Sequence, residues 1–275
     1  RALVVSAVTE EQPVRSPIDE SSTVLVVGAS RGLGLEFVSQ CLRRGATVFA
    51  THRGAEHGDG VPSSLEALGS WWDAADRLHP VCMDVADERS IAGAVAEIRR
   101  VAGSDTPLTH VIHNAGIYGP RAGFGAVTKA DLLSTLEINA VGPVLVAQAV
   151  AGLLRRPVPR GLLGRLGPGQ GGQLPVYAIM SSKMGSIEDN TSGGAYAYRM
   201  SKAAVNVAAK SLHHDLQGTA AVVLLHPGYV RTDMTGGSGL IDVDQSVAGL
   251  LRAVEATDGT VPFRWVDYKA DIVPW

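Results

Sequence analysis

Short apolar segments alternate with longer segments of helical periodicity along most of this chain. TVLVVG, TVFATH and PVCMDV are strand-length and rich in β-branched residues, whereas LEFVSQCLRRG and ERSIAGAVAEIRRVA carry apolar residues at helical spacing. Strands that are apolar on both faces and separated by helices are typical of a parallel sheet covered on both sides. The pattern predicts an α/β fold, doubly wound, with a mostly parallel sheet and helices on both faces.

The second half of the chain continues this alternation and predicts one domain over 23–275. It predicts long helices over 130–156 and 195–217, strands over 175–182 and 220–228, and a short last element near 261–266. The segment between the last two strands is predicted as a glycine-rich loop, with no helix. Residues 64–78 are predicted as one helix, and the Gly/Pro-rich segment 156–175 as a surface insertion.

Composition and charge exclude several classes of protein. With a net charge of −3 and 45% hydrophobic residues, the chain has a core-forming composition and no basic surface for nucleic acid or anionic membranes. The apolar runs are shorter than the roughly 18 residues that a membrane-spanning helix needs. A soluble protein of the cytoplasm or an organellar matrix is therefore predicted. Cys41 and Cys82 lie in apolar segments and are predicted to be reduced core thiols.

The chain begins at Arg1, and the polar residues before the first strand are predicted to form a flexible tail over 1–22. The absence of an initial methionine indicates processing or trimming. Removal of an organellar transit peptide, plastid included, is one explanation of that start.

The segment GASRGLG after the first strand has two interpretations. Gly28, Gly32 and Gly34 are expected to form a turn that holds a pyrophosphate at a helix N-terminus, as in a Rossmann fold. Their spacing, G-x-x-x-G-x-G, differs from the G-x-G-x-x-G of the usual dinucleotide-binding turn. The same residues match G-x-S-x-G, the elbow that presents a nucleophilic serine, here Ser30, in α/β hydrolases. Its place after the first strand favours the cofactor turn, in which Ser30 caps the helix, although downstream histidines keep a hydrolase triad open.

The end of the second strand, FATHRG, indicates which dinucleotide the turn binds. An NAD site has an Asp or Glu there for the ribose, whereas this chain has His52 and Arg53, with Arg31 in the glycine turn. Two guanidinium groups and no carboxylate suit the 2′-phosphate of NADP(H), which is therefore the predicted cofactor. Surface arginines without a ligand are the alternative.

Tyr198 and Lys202 lie four residues apart in a helical segment and so share one face. An adjacent ammonium stabilises a phenolate, which makes tyrosine a usable proton donor and acceptor for a carbonyl. Ser181 and Ser182 end a strand where ligands bind in doubly wound sheets, although strand-end serines are also ordinary caps. Asn139 interrupts an apolar helix, where a kink is expected.

Several histidines are candidates for chemistry, and most are predicted to be structural. His113 opens HNAG at the end of the fourth strand and His226 opens HPGYVRTDM at the end of a later one. Thr232 in that second segment is placed to meet a nicotinamide carboxamide. His213, His214 and Asp215 are adjacent on a helix and face different ways, so no metal site is predicted.

The motifs GASRGLG, HNAG, INAVGP, SS, YRMSK and HPGYVRTDM occur in this order over nearly the whole chain after residue 22. Together they resemble the short-chain dehydrogenase/reductase family. SSKMGSIEDN, GGAYAYRMSKAA and the terminal PW are most similar to its sniffer and C-factor group of carbonyl reductases. Two departures are a long interval between Ser182 and Tyr198 and a histidine at the start of HNAG.

The resemblance implies a catalytic tetrad of Asn139, Ser182, Tyr198 and Lys202. Tyr198 gives a proton to the carbonyl oxygen, Ser182 orients that oxygen, Lys202 binds the nicotinamide ribose and lowers the pKa of Tyr198, and Asn139 holds a water. Ser181 remains an alternative to Ser182. The cofactor contacts expected from residues and resemblance together are Gly28, Ser30, Arg31, Gly32, Leu33, Gly34, Arg53, Asp84, Val85, Asn114, Ala115, Gly116, Tyr198, Lys202, Pro227, Gly228, Val230 and Thr232.

These observations predict an NADPH-dependent reductase of a ketone or aldehyde that forms a homodimer or homotetramer. The alternative from another class is an NADP(H)-binding protein that signals, senses redox state or assembles without turnover. A serine hydrolase using Ser30 is the third interpretation. Loops over 118–128, 184–195 and 234–242 are expected to shape the substrate pocket.

Overall fold

The computed structural model describes residues 17–54, 60–70, 74–103, 106–154 and 173–275. These residues form one seven-stranded sheet in the order β3-β2-β1-β4-β5-β6-β7, and every adjacent pair is parallel. The doubly wound sheet predicted from the sequence is confirmed. The strands are β1 Thr23–Val27, β2 Thr47–His52, β3 Leu78–Cys82, β4 His110–His113, β5 Val176–Met180, β6 Ala221–His226 and β7 Trp265–Asp267.

Helices connect these strands and cover both faces of the sheet. In the described part of the chain they are α1 Gly32–Arg43, α2 Ser63–Gly69, α3 Glu88–Ala102, α4 Lys129–Leu136, α5 Gly142–Val150, α6 Tyr196–Asp215 and α7 Val243–Glu255. Two predictions were wrong. The helix expected over 64–78 ends at Gly69, and α7 was missed although Val247, Leu250 and Val254 repeat at helical spacing.

The core lies on the two faces of the sheet, since successive strand residues point to opposite sides. On one face, Leu25 and Val27 pack with α3, α5 and α6; on the other, Val24 and Val26 pack with α1, α2 and α7. All four of these β1 residues are fully buried. The carboxyl ends of the central strands therefore meet at one edge between two helical layers, the usual ligand position in such folds.

The segment Lys129–Val150 contains α4, a π-helical turn over Glu137–Val141, and α5. Its 22 residues contain an apolar window with a mean hydropathy of 1.3, so the segment is long and apolar enough to cross a membrane by length and composition, contrary to the expectation from the sequence. In the structure, 44% of the apolar window is buried, and Val146 and Val150 pack against the sheet. These two valines belong to the core cluster that also contains Leu25 and Val27 of β1.

Two further expectations are corrected at the margins of the domain. Residues 17–22 belong to the fold: Ile18 is buried, and its N–H donates to Glu255 Oε1 at 3.3 Å. Cys82 is exposed on the edge strand β3, whereas Cys41 is a core thiol whose pKa burial raises to about 12. The remainder of the predicted tail, 1–16, and nearly all of the predicted insertion, 155–172, lie outside the described residues.

Candidate active site

The glycine turn after β1 is fixed by the ends of two neighbouring strands. Gly28 has φ +80°, and a Cβ there would lie 2.7 Å from the Cα of Ala115, so only glycine fits. Gly28 N–H donates to Thr51 Oγ1 at 2.9 Å, and Asn114 Nδ2 donates to the Gly28 carbonyl at 2.8 Å. The segment HNAG thus supports the turn directly, in addition to continuing β4.

Ser30 fits neither of the two roles predicted for it, the helix cap and the hydrolase nucleophile. The N-cap residue of α1 is Arg31, and no side chain caps this helix, so the expectation that Ser30 caps it is wrong. The histidines available for a hydrolase triad are held elsewhere: His113 Nδ1 faces Tyr177 Oη at 3.4 Å, and His226 Nδ1 accepts from Lys183 N–H at 3.3 Å. The structure assembles no triad around Ser30 from the histidines that the sequence offered for it.

A cleft of about 510 Å³ opens at the carboxyl edge of the sheet. Twelve of the expected cofactor residues line it: Gly28, Ser30, Arg31, Gly32, Leu33, Arg53, Asp84, Val85, Asn114, Ala115, Gly116 and Thr232. The cleft continues past Ile117 to Tyr118, Gly119, Ile138 and Met234. Segments far apart in the sequence are therefore brought to one elongated site.

Four expected contacts lie behind the cleft wall and not in it. The Pro227 carbonyl accepts from Ser246 Oγ at 2.7 Å, Gly228 packs on the Tyr268 ring, and Val230 is buried. A Cβ at Gly34 would collide with the carbonyl of Gly28, so this glycine allows α1 to pack on the turn. These four residues shape the cleft from behind, and their assignment as cofactor contacts stays a prediction.

The two arginines expected to bind the 2′-phosphate differ in their surroundings. Arg31 Nη1 lies 3.5 Å from Asp233 Oδ2, and both side chains are largely exposed. Arg53 lies in the cleft wall at the end of β2, where the expected acidic residue of an NAD site is absent. Since an exposed ion pair contributes little, the Arg31 guanidinium remains available to a phosphate.

Tyr198, Ser182 and Lys202 come together beyond Tyr118, each with a largely buried side chain. Burial raises the pKa of Tyr198 to about 12, while a hydrogen bond with Ser182 acts in the opposite direction. Lys202 Nζ donates to the Met180 carbonyl at 2.9 Å and lies 5.7 Å from the centroid of the Tyr198 ring. The net shift of Tyr198 is upward, contrary to expectation, because burial outweighs the nearby hydrogen bond.

The same burial lowers the pKa of Lys202 to about 8, because an ammonium loses its hydration there. This pKa is only slightly above neutral pH, so the side chain is mostly charged at pH 7. A Cβ at Gly116 would lie 3.5 Å from Lys202 Nζ, so the glycine of HNAG leaves space beside the ammonium.

Asn139 lies in the π-helical turn, and this is the expected irregularity of the helix. A π turn widens the helix and is frequent at functional sites. The Asn139 side chain bonds to both main-chain polar groups of Ile117, and its Nδ2 also donates to Ser201 Oγ at 2.9 Å. Both Nδ2 hydrogens are donated to protein partners and Oδ1 accepts one bond, so the side chain links the loop after β4 to α6. The water that the resemblance assigns to Asn139 stays a prediction.

Two residues near the tetrad have other roles. Ser181 Oγ donates to Asn206 Oδ1 at 2.5 Å, so Ser182, not Ser181, is the serine beside Tyr198. His113 is buried next to Tyr177, and burial together with the positive charge of Lys202 lowers its pKa to about 3. Among the described residues, no three His, Cys, Asp or Glu side chains are grouped to hold a metal ion.

Sequence reasoning placed the substrate pocket in three loops but missed the residue that joins them. Tyr118 stacks on Tyr198, with ring centroids 4.6 Å apart and an interplanar angle of 19°. Its only sequence signal was its position at the start of the loop 118–128. The contact depends on tertiary packing of that loop against α6 and has no local pattern.

Comparison with known proteins now identifies the family. The family model for short chain dehydrogenase matches residues 22–239. The chain belongs to the short-chain dehydrogenase/reductase family. The C-signal protein of Myxococcus xanthus is 41% identical over 170 residues, which cover 62% of this chain and 93% of that protein.

Solved structures of this family share the fold over almost their whole length. The carbonyl reductase Sniffer of D. melanogaster is 33% identical, with a TM-score of 0.78, covering 93% of this chain and 99% of that one. A carbonyl reductase from Pseudomonas aeruginosa PAO1 in complex with NADP is 34% identical, with a TM-score of 0.74, covering 92% and 99%. The resemblance to the sniffer and C-factor group is confirmed, and the chain is an oxidoreductase of the short-chain family.

Proposed function

We propose that this oxidoreductase uses NADPH to reduce a small ketone or aldehyde to an alcohol, with Tyr198 as the proton donor. The observation that carries the proposal is the grouping of Tyr198, Ser182 and Lys202 behind Tyr118, a residue that lines the same cleft as the glycine turn. Similar proteins with solved structures are carbonyl reductases, one of them in complex with NADP.

The residues of the cleft suit both the pyrophosphate and the 2′-phosphate of NADPH. Gly28 and Gly32 leave the backbone bare at the start of α1, where N–H groups and the helix dipole favour a pyrophosphate. Arg53, assisted by Arg31, would hold the 2′-phosphate, and Asp84 and Val85, which line the same cleft, would contact the adenine. When bound, NADPH supplies the hydride to the carbonyl carbon.

The protein residues provide the proton and hold the carbonyl. With its pKa raised to about 12, Tyr198 is protonated at neutral pH and therefore carries the proton that a reduced carbonyl oxygen needs. The Ser182 hydroxyl orients the same oxygen, and the Lys202 ammonium stabilises the phenolate left after transfer. Asn139 anchors the loop over this site through Ile117.

Removal of one hydroxyl group tests this assignment. Tyr198→Phe should lower kcat by at least about a hundredfold for any accepted ketone or aldehyde, because the general acid is lost. Binding of NADPH, followed by its fluorescence, should change little. Tyr196→Phe is a matched control, since Tyr196 is exposed and pairs with Phe124 at 6.2 Å. Retained turnover in Tyr198→Phe contradicts the mechanism.

A second candidate function is a nucleotide-binding signalling protein without significant turnover. The observation that favours it is the name of the 41% identical relative, C-signal, which describes a signal and not a reaction. A wild-type protein that binds NADPH but oxidises it with no member of a broad carbonyl panel would support this second candidate.

We also infer that the protein assembles as a homodimer or homotetramer. Leu133, Val141, Met200 and Val207 are apolar yet between 45% and 70% exposed, and they lie on the α4 to α5 segment and on α6. These two helical segments pack on each other, and both expose apolar side chains of the kind found at protein contacts. Light scattering on the purified protein measures the assembly, and a monomer contradicts it.

A further inference from the structure

The turn that follows β5 carries Ser182 against the helix of Tyr198 and Lys202. Ser182 has an extended backbone, and a 3₁₀-helical turn over Lys183–Gly185 begins directly after it. A Cβ at Gly185 would lie 2.7 Å from the carbonyl carbon of Lys202, so this glycine lets the turn pack on the backbone of α6. The position of Ser182 relative to Tyr198 therefore depends on how this turn is held.

Most polar groups of the turn are bonded within it or to α6. The Gly185 N–H donates to the Ser182 carbonyl at 2.7 Å, and the Met184 N–H donates to Ser182 Oγ at 3.3 Å. The Met184 carbonyl accepts from Arg199 Nη1, on α6, at 3.2 Å. The first N–H of the turn, that of Lys183, donates to a residue outside it.

That acceptor is Nδ1 of His226, the last residue of β6, at 3.3 Å. Strand β6 already pairs with β5, and beyond the last paired residues the Ser181 N–H donates to the Leu225 carbonyl at 2.7 Å. The bond between Lys183 and His226 continues this pairing on the far side of Ser182. Ser182 therefore lies between two attachments to β6.

The bond requires a neutral imidazole at His226, because a main-chain N–H only donates and Nδ1 must carry no proton to accept it. Burial lowers the pKa of His226 to about 4, so the ring is neutral at pH 7. The Asp267 and Asp189 carboxylates oppose this shift, and the Lys183 ammonium, which pairs with Asp189 at 3.1 Å, adds to it. The acceptor is therefore present throughout the neutral range.

We propose that His226 is a positioning residue, whose Nδ1 fixes the turn that holds the Ser182 hydroxyl towards Tyr198 and the substrate carbonyl. The inference rests on the proposed function, in which Ser182 orients that carbonyl. Ser182 is hydrogen-bonded to Tyr198 in the structure, and loss of the attachment at His226 should weaken this bond. The described residues that line the cofactor cleft do not include His226, so NADPH binding should be unaffected.

Carbon-13 NMR of Tyr198 measures this bond without turnover. Tyrosine labelled at Cζ gives a signal that responds to hydrogen bonding of its hydroxyl; Tyr198→Phe assigns the signal, and Ser182→Ala gives its position when the bond is absent. His226→Leu should move the signal in the direction of Ser182→Ala. His226→Asn, whose Oδ1 takes the place of Nδ1, should leave it unmoved. Lys183→Ala is the matched control, because it removes the ammonium and keeps the N–H.

Kinetics separates a positioning role from a general loss of structure. His226→Leu should lower kcat about three- to tenfold for an accepted ketone or aldehyde, the size of one neutral hydrogen bond, with the Kd of NADPH unchanged. In a Ser182→Ala background the same change should lower kcat no further, because its effect passes through Ser182. Equal losses in the two backgrounds, or an unmoved Tyr198 signal in His226→Leu, overturn the inference.

A second variant covers failure of the first to fold. His226→Gln then replaces His226→Leu, since its amide reaches the place of Nε2 and not that of Nδ1. If the wild type reduces no carbonyl compound but the NMR signals move as expected, His226 remains assigned and the proposed reduction is removed instead.

Discussion

The Asn139 side chain binds both main-chain polar groups of Ile117, with Oδ1 accepting from the N–H at 2.8 Å and Nδ2 donating to the carbonyl at 2.7 Å. Nδ2 also donates to Ser201 Oγ, and that hydroxyl donates to the Tyr198 carbonyl at 2.8 Å. One buried amide therefore connects the loop beneath Tyr118 to the helix that carries Tyr198.

Removal of this amide should be costly for stability. We expect Asn139→Ala to lower the free energy of unfolding by about 2–4 kcal/mol, because it leaves two polar groups of a part-buried peptide without their partners. Urea unfolding followed by circular dichroism measures the change. Turnover should fall as well, because Ile117 positions the loop at the active site.

An exposed asparagine provides the control for this variant. Asn190 Oδ1 accepts from Gly193 N–H at 3.0 Å in a surface loop, so Asn190→Ala should lower the free energy of unfolding by less than about 1 kcal/mol. Equal losses in the two variants would show that the bonds between Asn139 and Ile117 do not stabilise the fold.

The sequence signals for Asn139 and for Tyr118 differ in kind. An asparagine in an apolar helix is a local anomaly, so an irregular helix was predicted at Asn139, and the π turn confirms it. Its partner Ile117 is 22 residues away, and no periodicity identifies such a contact. Tyr118 lies in a loop without a pattern, and its stacking on Tyr198 exists only after the loop and α6 pack together.

The sheet was more predictable than its connections. The buried strands are apolar on both faces, so each stands out locally and their parallel arrangement follows from the alternation with helices. The α7 helix was not predicted, because glycine-rich residues precede it and favour a loop, although Val247, Leu250 and Val254 have helical spacing. Likewise Pro227 and Gly228 follow a strand as a cofactor contact would, yet they pack against Ser246 and Tyr268.

The pH dependence of stability should show the effect of His113. Burial lowers the pKa of this side chain to about 3, against an ordinary value of 6.5, so between these values the unfolded chain binds a proton that the folded chain does not. The contribution of neutral His113 to the free energy of unfolding is therefore present above pH 6.5, and it is lost as the pH falls towards 3. We expect wild type to lose about 3 kcal/mol more than His113→Asn between pH 6.5 and pH 4.

Urea unfolding of both proteins across this range measures the difference. His214→Asn is the matched control, because His214 is exposed on α6 and its removal tests for effects common to any histidine. Parallel stability curves for wild type and His113→Asn would mean that the unpartnered Nε2 of His113 is solvated in the folded protein.

Cofactor choice is assigned to Arg53 at the end of β2. Arg53→Ala should raise the dissociation constant of NADPH by about 10- to 100-fold, the size of a lost charge-assisted bond, and should change that of NADH little. Fluorescence titration with each cofactor gives both constants. Arg43→Ala removes the same charge from α1, where Arg43 pairs with Glu36 at 2.8 Å, and should leave both constants unchanged. Equal weakening of NADPH and NADH by Arg53→Ala would show that Arg53 does not read the 2′-phosphate.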